Sequence, residues 1–183
     1  DHFSCLSSIV LREDKNEELV FRMPKIKNKF TNNLIGFKNI RNIQKFSKNN
    51  LYPFVHLFNG ALINIKAVKK VGNVDINFKI YGEEVDYFYR LKKYGPIYTL
   101  VNSYHFHPNV NQKHISEQNF YYLLRNSIKT NNKYSKFKLI KIISIIIVSL
   151  YRVYNKNGLG FILKYVFSNK NLFFKSILDG YKK

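Results

Sequence analysis

Hydrophobic residues follow different patterns in the two parts of the chain. In the first part they form short apolar or alternating runs, which are typical of strands, at residues 9–11, 53–63, 97–101 and 104–107. In the second part they recur every three or four residues, as on one face of a helix, at Phe120, Leu123, Leu124 and Ile128. The pattern predicts an α/β fold in which a sheet is followed by helices, the first of them over residues 116–129.

Two helices in the first part are predicted from signals at both of their ends. Residues 83–94 carry acids in the first turn, lysines in the last turn and Gly95-Pro96 directly afterwards. These features complement the helix dipole and then end the helix. A shorter helix is expected over residues 65–71, because Asn64 can cap its beginning and Gly72 can end it.

The segments before these helices are less regular. The charged run 12–18 predicts a turn, and residues 23–50 are rich in Lys and Asn without a clear period. We expect an irregular loop there, with at most one short helix over residues 38–46. A long loop inside a compact domain is often a binding or active-site loop.

The region after residue 136 is predicted to be helical and strongly apolar. Residues 137–154 are apolar almost all round, but the uncharged run 142–151 is only ten residues long. Since about 20 apolar residues are needed to cross a bilayer, a helix that lies in the membrane interface or packs on a partner is the better interpretation. Gly158 is expected to break this helix, and two short helices are expected over residues 159–167 and 172–178.

The composition is strongly basic, with 31 Lys and Arg against 11 Asp and Glu and a net charge of +20. This charge favours an anionic partner such as nucleic acid, a phosphate-bearing substrate or an acidic membrane. After Ile128 the lysines flank aliphatic runs, which suits an anionic membrane surface better than nucleic acid. The single cysteine, Cys5, leaves no intramolecular disulfide or cysteine-based zinc site and fits a reducing compartment.

Three acidic residues form the first candidate site. Glu83, Glu84 and Asp86 follow a glycine at a predicted helix start, where a carboxylate can act as a general base or contact a metal. Acids at this position also complement the helix dipole without any chemical role. Asp86 and Arg90 are four residues apart and are expected to pair along one helix face.

Two histidines and a small-residue segment form the second candidate site. His105 and His107 are two residues apart on a predicted strand, so their side chains point to the same side. Neutral imidazoles there can ligate a divalent metal, or the histidines can have ordinary packing roles. Gly60 and Ala61 permit the close approach of a ligand or of a neighbouring element.

The order of these motifs resembles a known family. The motifs are Phe58-Asn59-Gly60-Ala61, Val71-Gly72 with Asp75, Tyr81-Gly82-Glu83-Glu84-Val85-Asp86-Tyr87 with Arg90 and Gly95, His107-Pro108, Tyr121-Tyr122 and Arg125-Asn126. Together they resemble the second half of a family 2 glycosyltransferase of the GT-A fold. The most similar subgroup is that of rhamnosyl- and galactofuranosyltransferase-like enzymes of bacterial surface polysaccharide assembly.

The resemblance implies roles for the acidic residues. The second acid of the family's acidic pair deprotonates the acceptor hydroxyl, which assigns the catalytic base to Glu84. Glu83 and Asp86 would support it or contact the acceptor, with Arg90 nearby in the substrate site. The pair is Glu-Glu here rather than the more usual Glu-Asp or Asp-Asp, so the base would reach about one methylene further.

The resemblance also implies a donor site and a metal. Asn59, Gly60 and Ala61 would line the cleft between donor and acceptor. His107, which matches better than His105, would complete a site for Mg²⁺ or Mn²⁺. Glu84 and His107 are therefore expected to face a shared cleft at the edge of a sheet.

The resemblance predicts a partial GT-A domain, Rossmann-like with a mixed sheet. Residues 1–112 would be its acceptor-side half and residues 113–183 a basic, helical, membrane-associating tail. Neither the family's first nucleotide-binding strands nor an Asp-x-Asp motif is recognised, although Asp1 could be the last residue of one. This polypeptide alone is therefore expected to be inactive.

The implied reaction is inverting transfer of a sugar from a nucleotide-diphosphate donor to a lipid-linked or polysaccharide acceptor. A cytoplasmic location on the inner face of the cytoplasmic membrane is expected, since the opening residues lack a signal-peptide pattern. Two alternatives stay open. One is a non-catalytic remnant or interaction subunit, and the other is a basic nucleic-acid-binding protein.

Overall fold

A computed structural model describes residues 3–25, 36–108, 114–168 and 170–182. The chain forms two compact units. The sheet unit comprises Asp1–Val74 and Tyr87–Asn111, and the helical unit comprises Asp75–Asp86 and Gln112–Lys183. Residues 75–86 thus belong with the helical unit, whereas the predicted functional division near residue 112 stays a prediction.

The sheet unit is built on a mixed sheet, which confirms the predicted α/β class. Its strands are β1 Cys5–Arg12, β2 Lys15–Pro24, β3 Gly36–Asn39, β4 Leu51–Tyr52, β5 Ala61–Ile63 and β6 Ile97–His107. The strand order is β3-β2-β1-β6-β4, and β5 pairs with β1. The central strand β1 is parallel to β6 and antiparallel to β2 and β5.

Three helices accompany this sheet: α1 Ile40–Phe46, α2 Ile65–Val71 and α3 Glu83–Tyr94. The predicted limits of α2 are confirmed, because the Asn64 side chain caps it and Gly72 ends it with a φ of 78°. The predicted limits of α3 are confirmed as well. Buried apolar residues of β1, α2 and α3 share one core, formed by Cys5, Val55, Leu57, Ala67, Tyr87, Leu91 and Ile97.

Several predicted elements are wrong. The turn predicted over residues 12–18 occupies only residues 13–14, and β2 begins directly afterwards at Lys15. The charged residues that suggested a longer turn are the exposed first residues of this strand. The predicted strand over residues 53–63 survives only as β5, since Phe58 and Gly60 adopt φ values of 63° and 72° that interrupt an extended chain. The strand character predicted at 97–101 and 104–107, by contrast, is confirmed, and both segments belong to one continuous strand, β6.

The predicted irregular loop over residues 23–50 is also partly wrong. It contains the end of β2, all of β3, α1 and a bridge at residue 48. The short helix expected near residues 38–46 is confirmed as α1, which the Asn39 side chain caps by accepting a hydrogen bond from the Arg41 N–H. Residues 26–35 of this segment lie outside the described residues.

The helical unit contains α4 Glu117–Tyr134, α5 Lys138–Leu163 and α6 Lys170–Tyr181, with a π-helical turn at Lys164–Ser168 before α6. Helix α4 begins after Ser116 as predicted and runs five residues beyond the predicted end at Lys129. The expected break at Gly158 is a kink, with φ 79° and ψ 174°. Gly180 lets α6 approach α4, since a Cβ there would lie 2.7 Å from the Ile128 Cβ.

Candidate functional site

The turn before α3 has an unusual backbone. Tyr81 and Gly82 both have positive φ values, 61° and 88°. Such values are uncommon for a residue with a side chain and are adopted where surrounding structure holds them. The turn places Glu83 and Glu84 at the first positions of α3, where the helix N-terminus favours negative charge.

Asn126 on α4 holds this turn in place. Its side-chain Nδ2 donates hydrogen bonds to the carbonyl oxygens of Ile80 at 2.7 Å and Tyr81 at 2.8 Å. The Asn126 side chain is fully buried, so these bonds form away from competing water. A Cβ on Gly82 would lie 2.9 Å from the Asn126 Cβ, which explains why the smallest residue is at this position.

The neighbouring residue Arg125 extends the same contact. Its Nη1 donates to the Asn77 carbonyl at 3.1 Å and to the Asn126 side-chain oxygen at 3.0 Å. The Arg125-Asn126 pair was singled out in the sequence by resemblance only. Its role as the support of the acidic turn depends on a long-range contact that the sequence pattern does not contain.

The two glutamates of the turn have different surroundings. The Oε2 atom of Glu83 is buried and accepts no hydrogen bond within the described part of the chain. A buried acceptor of this kind is costly to leave unpaired, so it is suited to a donor from a ligand. Glu84 is half-buried.

Asp86 is tied down by residues of α4. The carboxylate is fully buried and its Oδ1 accepts hydrogen bonds from the Lys133 ammonium and the Tyr134 hydroxyl, both at 2.6 Å. These bonds join α4 to the first turn of α3. The predicted pair of Asp86 with Arg90 joins residues of different units and stays a prediction.

Arg90 anchors the end of α2. Its guanidinium donates to the carbonyls of Val71 at 2.7 Å and Asn73 at 2.9 Å, and it lies 4.9 Å from the centre of the Tyr87 ring. Arg90 therefore donates to the Val71 carbonyl, which the last turn of α2 leaves without a helical partner, and to the Asn73 carbonyl just beyond the helix. Its predicted contact with substrate stays a prediction.

The small-residue segment approaches the sheet closely. A Cβ on Gly60 would lie 2.6 Å from the Ser8 hydroxyl and 3.3 Å from the His105 Cβ. Ala61 pairs with Ser7 in the sheet, and the Asn59 amide donates to the Leu57 carbonyl at 3.2 Å. The close approach expected at Gly60 is thus made by neighbouring strands.

The two histidines lie together on β6, with 6.3 Å between ring centres. The Nδ1 atom of His107 is 2.7 Å from the Pro108 carbonyl. A carbonyl can only accept, so Nδ1 is the donor in this contact. The described residues contain no group of three or more His, Cys, Asp or Glu side chains that could hold a metal ion.

A third histidine, which the sequence analysis did not single out, lies near this pair. Phe21 contacts both His56 and His107, at ring distances of 5.4 and 5.8 Å. His56 belongs to the loop between β4 and β5 and its Nε2 lies 3.2 Å from the Arg22 carbonyl. Phe21 and His107 belong to β2 and β6, the two neighbours of β1 in the sheet, so tertiary pairing and not sequence proximity brings these two rings together.

The candidate residues are distributed between the two units. Glu83, Glu84 and Asp86 belong to the helical unit, whereas Arg90, His105, His107 and the segment 59–61 belong to the sheet unit. Glu84 and His107 therefore belong to different units. That they face one cleft stays a prediction.

Helix α5 has an exposed apolar stripe. Its buried face packs into the core of the helical unit through Ile142, Ile145 and Val153. Another face leaves large side chains exposed at helical spacing, namely Ile140, Ile143, Ile147, Tyr151 and Tyr154. We call these five residues the α5 stripe. No helix in the described ranges is both long enough and apolar enough to span a bilayer.

Comparisons with protein-family models, with curated proteins and with solved structures found no match for this chain. The assignment of a function therefore rests on the chain's own residues and on the resemblance of its motifs.

Proposed function

We propose that this chain is the acceptor-side part of an inverting family 2 glycosyltransferase that works at a membrane surface. It would transfer a sugar from a nucleotide-diphosphate donor to a lipid-linked or polysaccharide acceptor in bacterial surface glycan synthesis. The observation that carries the proposal is the acidic turn at residues 81–84, held by Asn126. Two motifs of the resemblance, far apart in sequence, are in contact there.

A catalytic base needs a backbone that holds it in position, and the turn before Glu83 and Glu84 is restrained in this way. A general base must lie within hydrogen-bond reach of the proton that it removes, and catalytic groups are displaced when their supporting residues are loose. The buried amide of Asn126 restrains the backbone immediately before Glu83 and Glu84. This restraint is consistent with a catalytic role of the glutamates and exceeds what dipole complementation needs.

The proposed chemistry uses Glu84 as the base. Its carboxylate would accept the proton of the acceptor hydroxyl while the hydroxyl oxygen forms a bond to the anomeric carbon of the donor sugar. The bond from that carbon to the nucleoside diphosphate would break, and the diphosphate would leave with the electron pair. Glu83, through its buried Oε2, would accept a hydrogen bond from the acceptor.

The proposed reaction also uses a bound divalent cation, Mg²⁺ or Mn²⁺. His107 fits a metal ligand, because its Nδ1–H is fixed on the Pro108 carbonyl in the way that orients metal-binding histidines. His105 lies beside it on the same strand. A bound cation would supply positive charge to the departing diphosphate.

The α5 stripe supports the membrane part of the proposal. Exposed contiguous apolar surface marks interaction sites, and lysines lie at the beginning of the stripe at positions 136, 138 and 141. A helix with such a face lies in the interface of an anionic membrane. The proposal accordingly places the protein on the inner face of the cytoplasmic membrane, where a lipid-linked acceptor would be found.

The test is an activity assay with Glu84 variants. The protein, expressed from its complete open reading frame, is incubated with labelled nucleotide sugars and a membrane lipid extract, and label in the lipid phase is counted. Glu84→Gln is expected to lower the rate by a factor of about 100 or more, the usual effect of removing a general base. Glu84→Asp should keep part of the activity.

Glu13→Gln is the matched control, because Glu13 is an exposed glutamate on the turn between β1 and β2. It should leave the rate unchanged. Equal rates for Glu84→Gln and the wild type would contradict the proposed base. Absence of transfer with every sugar nucleotide would favour the non-catalytic alternative, and salt-dependent binding to any DNA or RNA would favour the nucleic-acid alternative.

A further inference from the structure

A basic groove in the helical unit contains none of the proposed catalytic residues, although it shares Arg125 with the support of the acidic turn. It has a volume of about 370 Å³ and lies between α4, the end of α6 and the loop before α3. The charged and aromatic residues that line it are Lys79, Tyr121, Tyr122, Arg125, Lys129, Asp179 and Lys182. Four cations and one carboxylate thus surround a single groove.

The one carboxylate is already neutralised. Asp179 accepts hydrogen bonds from the Lys182 ammonium at 2.7 Å and from the Tyr121 hydroxyl at 2.6 Å. Within the described ranges, the other three cations make no ion pair with a carboxylate. Counted over its lining residues alone, the groove therefore has an excess of three positive charges.

Aromatic rings contact two of these cations. The Lys79 ammonium lies 6.0 Å from the centre of the Tyr122 ring, and the Lys129 ammonium lies 5.6 Å from the centre of the Phe78 ring. Such contacts hold an ammonium group in position by the quadrupole of the ring. The Lys129 ammonium also interacts electrostatically with the carboxylate of Asp75.

Arg125 lines the groove and is held there by two hydrogen bonds. Both of its hydrogen bonds to described residues use Nη1, which donates to the Asn77 carbonyl and the Asn126 side chain. The guanidinium carries further N–H donors on Nε and Nη2. A planar guanidinium held in this way is suited to the paired oxygens of a phosphate group.

We propose that this groove binds the terminal phosphate group of a ligand, either a phosphomonoester or a diphosphate. Three convergent cations match the charge of such a group better than the single charge of a carboxylate or a phosphodiester. The volume falls in the range of small-molecule sites, so the ligand is a soluble phosphate or a lipid headgroup. The proposal does not depend on the transferase reaction or on a metal.

The test measures binding of a soluble phosphate and of a lipid with a phosphate headgroup. EDTA is present in both experiments to remove any contribution from a metal site. Titration calorimetry with inorganic pyrophosphate tests the soluble form. Flotation with phosphatidylcholine vesicles that contain phosphatidic acid tests the lipid form, and phosphatidylglycerol vesicles of equal charge are the reference. Binding of pyrophosphate, or binding to phosphatidic acid vesicles in excess of the phosphatidylglycerol reference, supports the proposal, and the pair of experiments shows which source the groove prefers.

Two double variants distinguish binding in the groove from a general effect of the protein's positive charge. Lys79→Met with Lys129→Met removes two groove cations, and Lys69→Met with Lys70→Met removes two exposed cations of α2. The groove double variant should bind pyrophosphate at least tenfold more weakly, whereas the α2 double variant should stay within twofold of the wild type. Unfolding curves of both variants verify that they are folded.

Three results would overturn the proposal. The first is absence of pyrophosphate binding by the wild type together with equal binding to phosphatidic acid and phosphatidylglycerol vesicles. The second is an equal loss in the two double variants, which would show a general charge effect. The third is a groove-dependent binding of single-stranded RNA without pyrophosphate binding, which would make the groove a nucleic-acid site.

Discussion

The side-chain amide of Asn126 donates a 2.8 Å hydrogen bond to the main-chain carbonyl of Tyr81, a residue 45 positions earlier in the chain. The same amide bonds the Ile80 carbonyl at 2.7 Å. One buried side chain on α4 thereby sets the backbone from which both glutamates of the acidic turn project.

Replacement of Asn126 by Asp should destabilise the protein. The variant loses both amide donors and places negative charge beside two carbonyl oxygens, although Arg125 can offset part of that charge. We expect a loss of about 2 kcal/mol in the free energy of unfolding, measured by urea denaturation. Gln118→Glu makes the same chemical change at an exposed position of α4 and should have almost no effect. Equal stability of the two variants would refute the structural role of Asn126.

Replacement of Gly82 by Ala should cost more than replacement of Gly72 by Ala. Both glycines have a positive φ, 88° and 78°, so both variants carry backbone strain. A Cβ on Gly82 would also lie 2.9 Å from the Asn126 Cβ, whereas a Cβ on Gly72 would meet nothing within 4 Å. We expect Gly82→Ala to lose about 1–3 kcal/mol more, as measured by thermal and urea unfolding. A Gly72→Ala variant that is as unstable as Gly82→Ala would remove the steric explanation.

The ion pair of Lys133 with Asp86 should contribute more to the free energy of unfolding than an exposed ion pair does. Asp86 is fully buried, and Lys133→Met removes one of its hydrogen-bond donors. Weakening the compensation of a buried charge is strongly unfavourable, so we expect a loss of about 2 kcal/mol or more in urea denaturation. Lys15→Met, which breaks an ion pair with both side chains about half-exposed, should change the stability by less than about 0.5 kcal/mol. The reverse order would be evidence against a structural role of Asp86.

Acid should weaken the helical unit through Asp179. The hydrogen bond from Lys182 and, to a smaller extent, the one from Tyr121 hold the pKa of Asp179 below its usual value. Because the folded-state pKa is depressed, the stabilisation is present above about pH 4, the pKa of an unfolded aspartate, and is lost as the pH falls through the folded-state pKa. Asp179→Asn should therefore be less stable than the wild type at pH 6, and the difference should shrink towards pH 2. Melting temperatures across this range provide the measurement, and a difference that stays constant would contradict the expectation.

The α5 stripe should govern vesicle binding. Ile143→Asp with Ile147→Asp places two charges on the exposed apolar face and should abolish flotation with vesicles rich in phosphatidylglycerol. Ile65→Asp is the control, because Ile65 on α2 is 63% exposed and Ile143 is 62% exposed. Retained binding of the double variant, or an equal loss with Ile65→Asp, would show that the stripe is not the membrane contact.

Several helix limits follow from neighbouring residues alone. Asn64 and Gly72 delimit α2, the acids and Gly95-Pro96 delimit α3, and Gly158 kinks α5, as predicted. Caps and breakers act on backbone groups within a few residues, so their effect is visible in the sequence. The α/β class follows in the same way from the two hydrophobic periods.

Strand limits were predicted less well. The first residues of β2 are polar and exposed, so no apolar alternation marks them, and the apolar run 53–63 is interrupted by positive φ values at Phe58 and Gly60. Pairing with β1, rather than local composition, decides where these strands begin and end. A strand is completed by a partner that lies elsewhere in the chain.

The sequence also indicated which residues to consider at the candidate site, namely the acids of the α3 turn, the histidines of β6 and the pair Arg125-Asn126. It did not reveal that Asn126 bonds the backbone before Glu83, or that Lys79, Lys129 and Lys182 share a groove with Arg125. Those relationships require α4, α6 and the loop before α3 to pack together. Local signals act over one or two helical turns, whereas contacts between residues about 50 or 100 positions apart exist only after the chain has folded.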